Sequence, residues 1–218
     1  MFEIIYIPIA SCFVWWEDDH GPGAVVGVER YPYHDGWNGY FAPYGANRKG
    51  RIGGGEAYAE YGFIDRDIDR YAAGGRLFLS ALALRTDWNR YLEHRAGGGS
   101  DSLTLGTIDL ELGIPLSRHA RIGLGLGSTI IHDRTGTESG LCGVISADIF
   151  PMKPLVLNGV FTYGTVSDSE LDPKTDIMTL RATIGAMWNR VETYVGWQAT
   201  RIESVQFNGP TAGLRVWF

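Results

Sequence analysis

The chain alternates. In its last ten residues, Gly209-Pro-Thr-Ala-Gly-Leu-Arg-Val-Trp-Phe218, the side chains of Ala212, Leu214, Val216 and Phe218 share one phase, and Thr211, Gly213, Arg215 and Trp217 share the other. Residues two apart on an extended strand point to the same face, so this stretch has one apolar side and one mixed side. The same period runs upstream. Residues 191–200 set Val191, Thr193, Val195, Trp197 and Ala199 against Glu192, Tyr194, Gly196, Gln198 and Thr200. Residues 178–188 set Met178, Leu180, Ala182, Ile184, Ala186 and Trp188 against Thr179, Arg181, Thr183 and Gly185. Further alternating stretches lie at 155–164, 141–150, 121–131, 103–114, 82–91, 69–79 and 56–63. Such a pattern predicts an all-β fold of many antiparallel strands.

The stretches number ten, with eight and twelve as the neighbouring even counts. Most have about the 9–11 residues that a tilted strand needs to cross a bilayer. Connections near Ser80, at 115–120, at 151–154 and at Asn189-Arg190 are short; those at 92–101, 132–140, 166–176 and 201–207 are longer, and 64–68 is a short exception. Short turns at one end and long loops at the other fit an up-and-down transmembrane barrel with both chain ends on the periplasmic side. The mean hydropathy of −0.08 does not oppose this, because the polar half of an alternating strand cancels its apolar half. The competing fold is a soluble sandwich or lipocalin-like barrel. It would put the apolar phase inside and leave the charged phase as its wet surface.

The ladder and its terminal aromatic strand resemble small bacterial outer-membrane β-barrel proteins. More narrowly, residues 30–40, 54–62 followed by 70–76, and 209–218 look like a family of uncharacterised predicted outer-membrane proteins. The resemblance covers about residues 30–218 and implies fold and an outer-membrane location, with no activity attached. It also implies that Ala212, Leu214, Val216 and Phe218 form the signal read by the barrel-assembly machinery, and that the main partner is outer-membrane lipid.

Two sets of residues follow from the barrel. Phe63, Trp88, Tyr163 and Trp197 near the long loops, and Phe150, Trp188 and Phe218 near the short turns, are expected as interfacial girdles. The opposite phase collects Glu60, Arg70, Arg76, Arg85, Asp87, Asp109, Glu111, Arg121, Asp148, Arg181, Glu192 and Arg215. Six bases face six acids, and every base is Arg, which binds carboxylates through paired hydrogen bonds. Gly123, Gly125, Gly127, Gly185 and Gly213 leave room beside them. The preferred reading is a salt-bridged plug, since buried charges need partners in any case; the other is a narrow polar path for water, protons or small solutes.

Residues 1–55 differ in character, and 56–218 form the barrel. The segment Arg30-Tyr-Pro-Tyr-His-Asp-Gly-Trp-Asn-Gly-Tyr40 reads as turn-rich extended chain that lies in the periplasm, lines the barrel mouth or enters the lumen. Residues 24–28 are a candidate short strand, and 48–55 look like a flexible basic linker. The apolar run 4–16, interrupted by Pro8, is too short for the roughly 20 residues of a membrane helix. It reads as a signal remnant or a mis-set start, and Ile9-Ala-Ser-Cys12 loosely resembles a lipoprotein cleavage box, though no basic residue precedes it. Cys12 and Cys142 make neither a disulfide framework nor a metal site.

Candidate chemistry is sparse. The net charge of −6 offers no basic footprint, so nucleic acid is not an expected partner. Glu93-His94, His132-Asp133, Asp87 and Ser128 lie near the outer rim, where a His–carboxylate pair could activate water or a hydroxyl in a hydrolase or acyltransferase. Adjacent residues on one strand point to opposite faces, which weakens each of these sequential pairs. Asp65-Arg-Asp-Ile-Asp69 reads first as a solvated hairpin tip and second as a divalent-cation contact with lipopolysaccharide. No phosphate loop, zinc cluster, catalytic motif or cofactor signature is present. The expected role is non-catalytic.

Overall fold

Ten strands close on themselves. The structure is a computed structural model that describes residues 25–34, 39–44, 51–65, 68–94, 100–134, 136–167 and 175–218. Two short strands come first, β1 (Val25–Val28) and β2 (Phe41–Tyr44). The wall then runs β3 (Gly53–Asp65), β4 (Ile68–Leu79), β5 (Leu82–His94), β6 (Ser100–Ser117), β7 (Ala120–His132), β8 (Thr137–Ile149), β9 (Leu155–Ser167), β10 (Thr175–Trp188), β11 (Val191–Ile202) and β12 (Val205–Trp217). Each wall strand is antiparallel to the next, and β12 pairs with β3 from Thr211↔Gly62 to Trp217↔Glu56, so the wall closes without a free edge strand.

Turn chemistry sets the hairpins. Leu79 pairs with Leu82 and Trp188 with Val191, leaving the two-residue loops Ser80-Ala81 and Asn189-Arg190. Ser80 and Asn189 have φ of 55° and 53°, the positive sign that tight hairpin turns require at their first loop position. At the other end one expectation is corrected. Residues 201–207 are not a long loop: Ile202 pairs with Val205 around Glu203-Ser204. The alternation continues there with its polarity inverted. Ile202 and Phe207 point into the barrel and Arg201 points out. A reading that expects polar residues inside stops too early at such a point.

Leu77, Leu84, Leu110, Leu124, Leu126, Leu141 and Ile145 lie exposed on the outer surface, while the arginines and carboxylates of the opposite phase are buried inside. That is the reverse of a soluble barrel. An outer band this apolar is at home in hydrocarbon, where a closed barrel satisfies every backbone group within the wall. The chain is a transmembrane β-barrel.

Of the aromatics expected in the girdles, all but one lie on the outer surface. Phe63, Trp88, Tyr163, Trp188, Trp197 and Phe218 are exposed, joined by Tyr61 and Tyr71. Phe150 is not: its ring is 0% exposed and faces the lumen. It follows β8 in the phase of Asp148 rather than of Ile149, so its own alternation sends it inward.

The N-terminal segment closes the turn end of the barrel. β1 pairs with β2, and Val28 bridges Arg51 through two backbone hydrogen bonds of 2.9 Å. Tyr40 lies against Phe41, Phe78, Phe150 and Trp217 with ring centroids 5.1–5.8 Å apart. The Tyr33 hydroxyl donates to the carbonyl of Leu155. Of the three placements expected for this segment, the described residues take the barrel mouth. Residues 51–55 are no flexible linker; Arg51 is bridged and β3 begins at Gly53. The apolar run 4–16, the Ile9–Cys12 box and Trp37 lie outside the described residues.

Candidate functional site: the barrel interior

The interior is layered. At the turn end sits an aromatic cap built from Val28, Tyr33, Tyr40 and Phe41 of the N-terminal segment against Phe78, Phe150, Val156, Met187 and Trp217 of the wall. Burial holds the Tyr40 phenol well above its usual pKa, so this ring stays neutral beside Glu56 and Arg76. At the loop end Tyr91, Leu105, Val166 and Ile177 form an apolar cap with Ile64, Ile68, Leu103, Ile131, Ile202 and Phe207. Between the caps lies the charge network.

All twelve charges expected in the lumen point into it. Glu60, Arg70, Arg76, Arg85, Asp109, Glu111, Arg121, Asp148, Arg181, Glu192 and Arg215 are buried, and the Asp87 side chain is 16% exposed. Glu56, buried on the same face, raises the acids to seven against six arginines. It shares the phase of Glu60, so the alternation already pointed to it.

Some pairs are direct consequences of hairpin register. Arg85 sits opposite Asp109 and binds it at 3.1 Å; Arg121 sits opposite Asp148 at 3.3 Å; Arg215 sits opposite Glu192 at 3.2 Å; Arg76 sits opposite Glu56 at 3.1 Å. Other contacts cross the lumen. Arg76 of β4 reaches Asp148 of β8 at 2.8 Å, and Arg181 of β10 reaches Asp87 of β5 at 3.1 Å. The Tyr58 hydroxyl stands between the last two, donating to Asp87 at 2.5 Å and accepting from Arg181 at 2.8 Å. Arg70 of β4 binds Glu60, Asn89 (2.6 Å), Gln198 (2.5 Å) and Thr211 (2.8 Å), tying β4 to four other strands.

Neutral residues, which no charge pattern marks, complete the network. Ser146 donates to Glu111 at 2.7 Å, Asn158 to Asp148 at 2.6 Å and the Trp217 indole to Glu192 at 3.0 Å. Arg76 and Arg121 also stack on the Phe78 ring, 4.6 and 5.1 Å from its centroid, which joins the charged layer to the aromatic cap. Glycine supplies the space: a Cβ at Gly113 would fall 2.1 Å from Arg121 Nε, and one at Gly185 2.3 Å from Glu192 Oε1. A cavity of about 20 Å³ beside Arg85, Asp87, Arg181 and Gln198 has room for about one water.

The rim residues separate. His132 contacts Thr137 at 2.7 Å, whereas the Asp133 carboxylate accepts from the Gly136 backbone at 3.1 Å. Ser128 donates outward to the Gly140 carbonyl (3.0 Å), on the opposite side of the wall from Asp87. His94 turns away from Glu93 and meets Asp69 of the neighbouring strand at 3.2 Å, while the Tyr61 hydroxyl donates to that carboxylate at 2.5 Å. This pair comes from β4–β5 register and not from chain adjacency. Of the Asp65–Asp69 cluster, Asp67 and the side chain of Asp65 lie outside the described residues. Among the described residues no group of three metal-ligating side chains converges. Cys142 is a buried thiol on the lumen side, and Cys12 lies outside the described residues.

No protein-family model matches the chain, and no curated protein matches it. Solved structures are similar in fold. OmpT with loop L8 deleted, an outer membrane protein of Vibrio cholerae, is 10% identical with a TM-score of 0.43, over 88% of this chain and 74% of that one. In-vitro folded OmpT is 8% identical with a TM-score of 0.41, over 74% of this chain and 64% of that one. CdiB from Acinetobacter baumannii is 8% identical with a TM-score of 0.33, over 84% of this chain and 45% of that one. The chain thus spans less than two thirds of the length of two of these three. No residue role is carried over at this level of identity.

Proposed function

We propose that this protein is an integral outer-membrane barrel with a plugged lumen, acting as a structural or surface-interaction element and not as an enzyme or an open pore. The layered interior is the observation that supports it. A conducting path needs continuous polar lining, and here paired charges are sealed between an apolar cap at each end. A bare ion entering either cap would lose its hydration with nothing to replace it. The partners in this reading are outer-membrane lipid, the assembly machinery that reads the Ala212–Phe218 face, and lipopolysaccharide at the outer rim. Kinship with the uncharacterised predicted outer-membrane proteins belongs to the same reading.

Planar-bilayer recording tests it. The full chain is expected to be silent at high salt, and steady single-channel steps would favour the narrow-channel reading. A second reading, an outer-rim hydrolase or acyltransferase, draws support from the Asp69–His94 pair alone. A lipid-ester hydrolysis assay separates it. Equal background rates for the natural chain and His94→Ala support the non-catalytic role; activity lost in His94→Ala would replace it.

A further inference from the structure

The loop end of the outer wall carries an arginine that the lumen network does not use. Arg90 shares the exposed phase of Leu84 and Trp88 on β5. Among the described residues its guanidinium has no hydrogen bond, ion pair or ring partner. The other arginines of the wall strands are all engaged. Six pair with carboxylates in the lumen, and Arg201 is anchored on the Glu203 carbonyl at 2.7 Å.

Strand register sets the surroundings of Arg90. It pairs with Tyr71 of β4 and Thr104 of β6, and Thr104 pairs with His132 of β7. Adjacent strands lie about 4.8 Å apart, so Arg90 and His132 stand roughly 10 Å apart with Thr104 between them. Thr137 holds His132 at Nδ1, a 2.7 Å contact that leaves Nε2 unengaged. Below this row lies a shelf. Trp88 and Gly106 are registered partners one step nearer the hydrocarbon. A Cβ at Gly106 would fall 2.4 Å from the Trp88 ring, so the absent side chain lets the indole lie on the β6 backbone. The indole N–H donates to Thr86 Oγ1 at 2.8 Å and fixes the ring. Tyr71, beside Arg90, is braced by Tyr61 with centroids 5.4 Å apart. Such rings mark the boundary between hydrocarbon and head groups, so a guanidinium one step above Trp88 sits at the height of lipid phosphates.

The carboxylates around the row are occupied. Asp69 accepts from Tyr61 at 2.5 Å and meets His94 at 3.2 Å; Asp101 is paired with Arg134 at 2.8 Å. Asp133 accepts from the Gly136 backbone, and Glu93 sits in the phase of Asn89 and Tyr91, opposite to that of Arg90. Arg90 is the uncompensated charge of this face, and its complement is an anion.

We infer that Arg90, Thr104 and His132 form a phosphate-binding site for lipopolysaccharide, with the hydrocarbon next to the phosphate resting on Trp88. The guanidinium offers a planar fork to two phosphate oxygens. The Thr104 hydroxyl and His132 Nε2 supply further hydrogen bonds. A free phosphate would meet the same donors, but the Trp88 shelf serves only a phosphate that carries an apolar body. The site rests on the outer-rim lipopolysaccharide reading above and names its contact.

Binding of short-core lipopolysaccharide to the full-length barrel in non-ionic detergent tests the site. The same glycolipid stripped of its lipid A phosphates is the comparison. The natural chain is expected to prefer the phosphorylated form by about tenfold, the scale of one charge-assisted hydrogen bond. Arg90→Gln should lose that preference, and Thr104→Val and His132→Ala should each lose part of it. Arg201→Gln changes the outward arginine of β11, on the far side of the barrel, and should keep it. All four positions face outward, so each variant should keep the heat-shifted gel band of a folded barrel. Undiminished preference in Arg90→Gln overturns the site, as does an equal loss in Arg201→Gln or equal binding of both forms by the natural chain. Inorganic phosphate that displaces the glycolipid at equal concentration would assign the site to the free ion and overturn it too. A folded barrel that binds neither form overturns the lipopolysaccharide reading together with the site. Binding that needs the phosphates but not Arg90 overturns the site alone.

Discussion

The charged middle of the lumen and the aromatic cap beneath it are both buried and tightly packed, but they are built by different rules. In the charged layer every side chain comes from a wall strand, and its inward direction follows from period-2 phase. In the cap, wall residues such as Phe78 and Trp217 supply only one half. Tyr33, Tyr40 and Phe41 arrive from a segment with no alternation of its own. The charged layer is held by specific pairs, so its stability depends on every partner being present. The cap is held by apolar area and ring contacts, so it should respond to lost volume.

That contrast can be broken experimentally. The largest loss is expected from Arg76→Met. It takes one partner each from Glu56, Asp148 and Glu111, which keep Arg215, Arg121 and Ser146, and removing one partner of a buried pair costs roughly 3–5 kcal/mol. Denaturant unfolding in detergent, followed by the heat-shifted gel band, measures this. A loss below about 1 kcal/mol would show that the network is not stabilised by its pairing. Tyr40→Ala empties the centre of the cap and should cost about 3 kcal/mol, as large-to-small core substitutions do. The charge network should stay in place, so this variant should still fold as a barrel.

Smaller effects sharpen the boundary between the two layers. Trp217→Phe keeps most of the ring packing and removes the indole donor to Glu192, an expected cost of about 2 kcal/mol for a hydrogen bond to a buried charge. Combined with Arg215→Met it should be non-additive, because both residues serve the same carboxylate. Strict additivity in that double-mutant cycle would place Trp217 with the cap alone. The smallest effect is expected from His94→Ala at the rim, with no measurable change in unfolding midpoint. A clear shift would mean that the Asp69–His94 pair supports the loop end.

Much of the interior is legible in the alternation. The inward phase of Arg85, Asp109, Glu192 and Arg215 follows from the alternation, whereas their pairing depends on register across the 92–101 and 201–207 connections, which the alternation does not fix. Glu56 was equally available from its phase with Glu60. Phe150 shares the phase of Asp148, and that phase sends its ring inward although an aromatic residue at a strand end suits the interface. The loop-end cap was hidden for a different reason. There the inward phase turns apolar at Leu103, Leu105, Ile202 and Phe207, so a search for polar lumen residues ends the strands too soon. The pairing of His94 with Asp69 is not legible in the sequence, since it depends on β4–β5 register at a rim where both strands run longer than the alternation indicates.

The amino-acid sequence by itself determined the number of strands, their phase, and therefore which residues meet lipid and which meet the lumen. These are local properties, because the side-chain period of a strand needs no knowledge of its distant neighbours. Tertiary structure alone decided which charges meet across the barrel, as in Arg76 with Asp148 and Arg181 with Asp87. Such contacts depend on closure and strand tilt, which bring residues of non-adjacent strands to one height. It also decided that the N-terminal aromatics enter the mouth of the barrel. The turn-end rings of the wall leave a space there that only a segment from outside the ladder can fill.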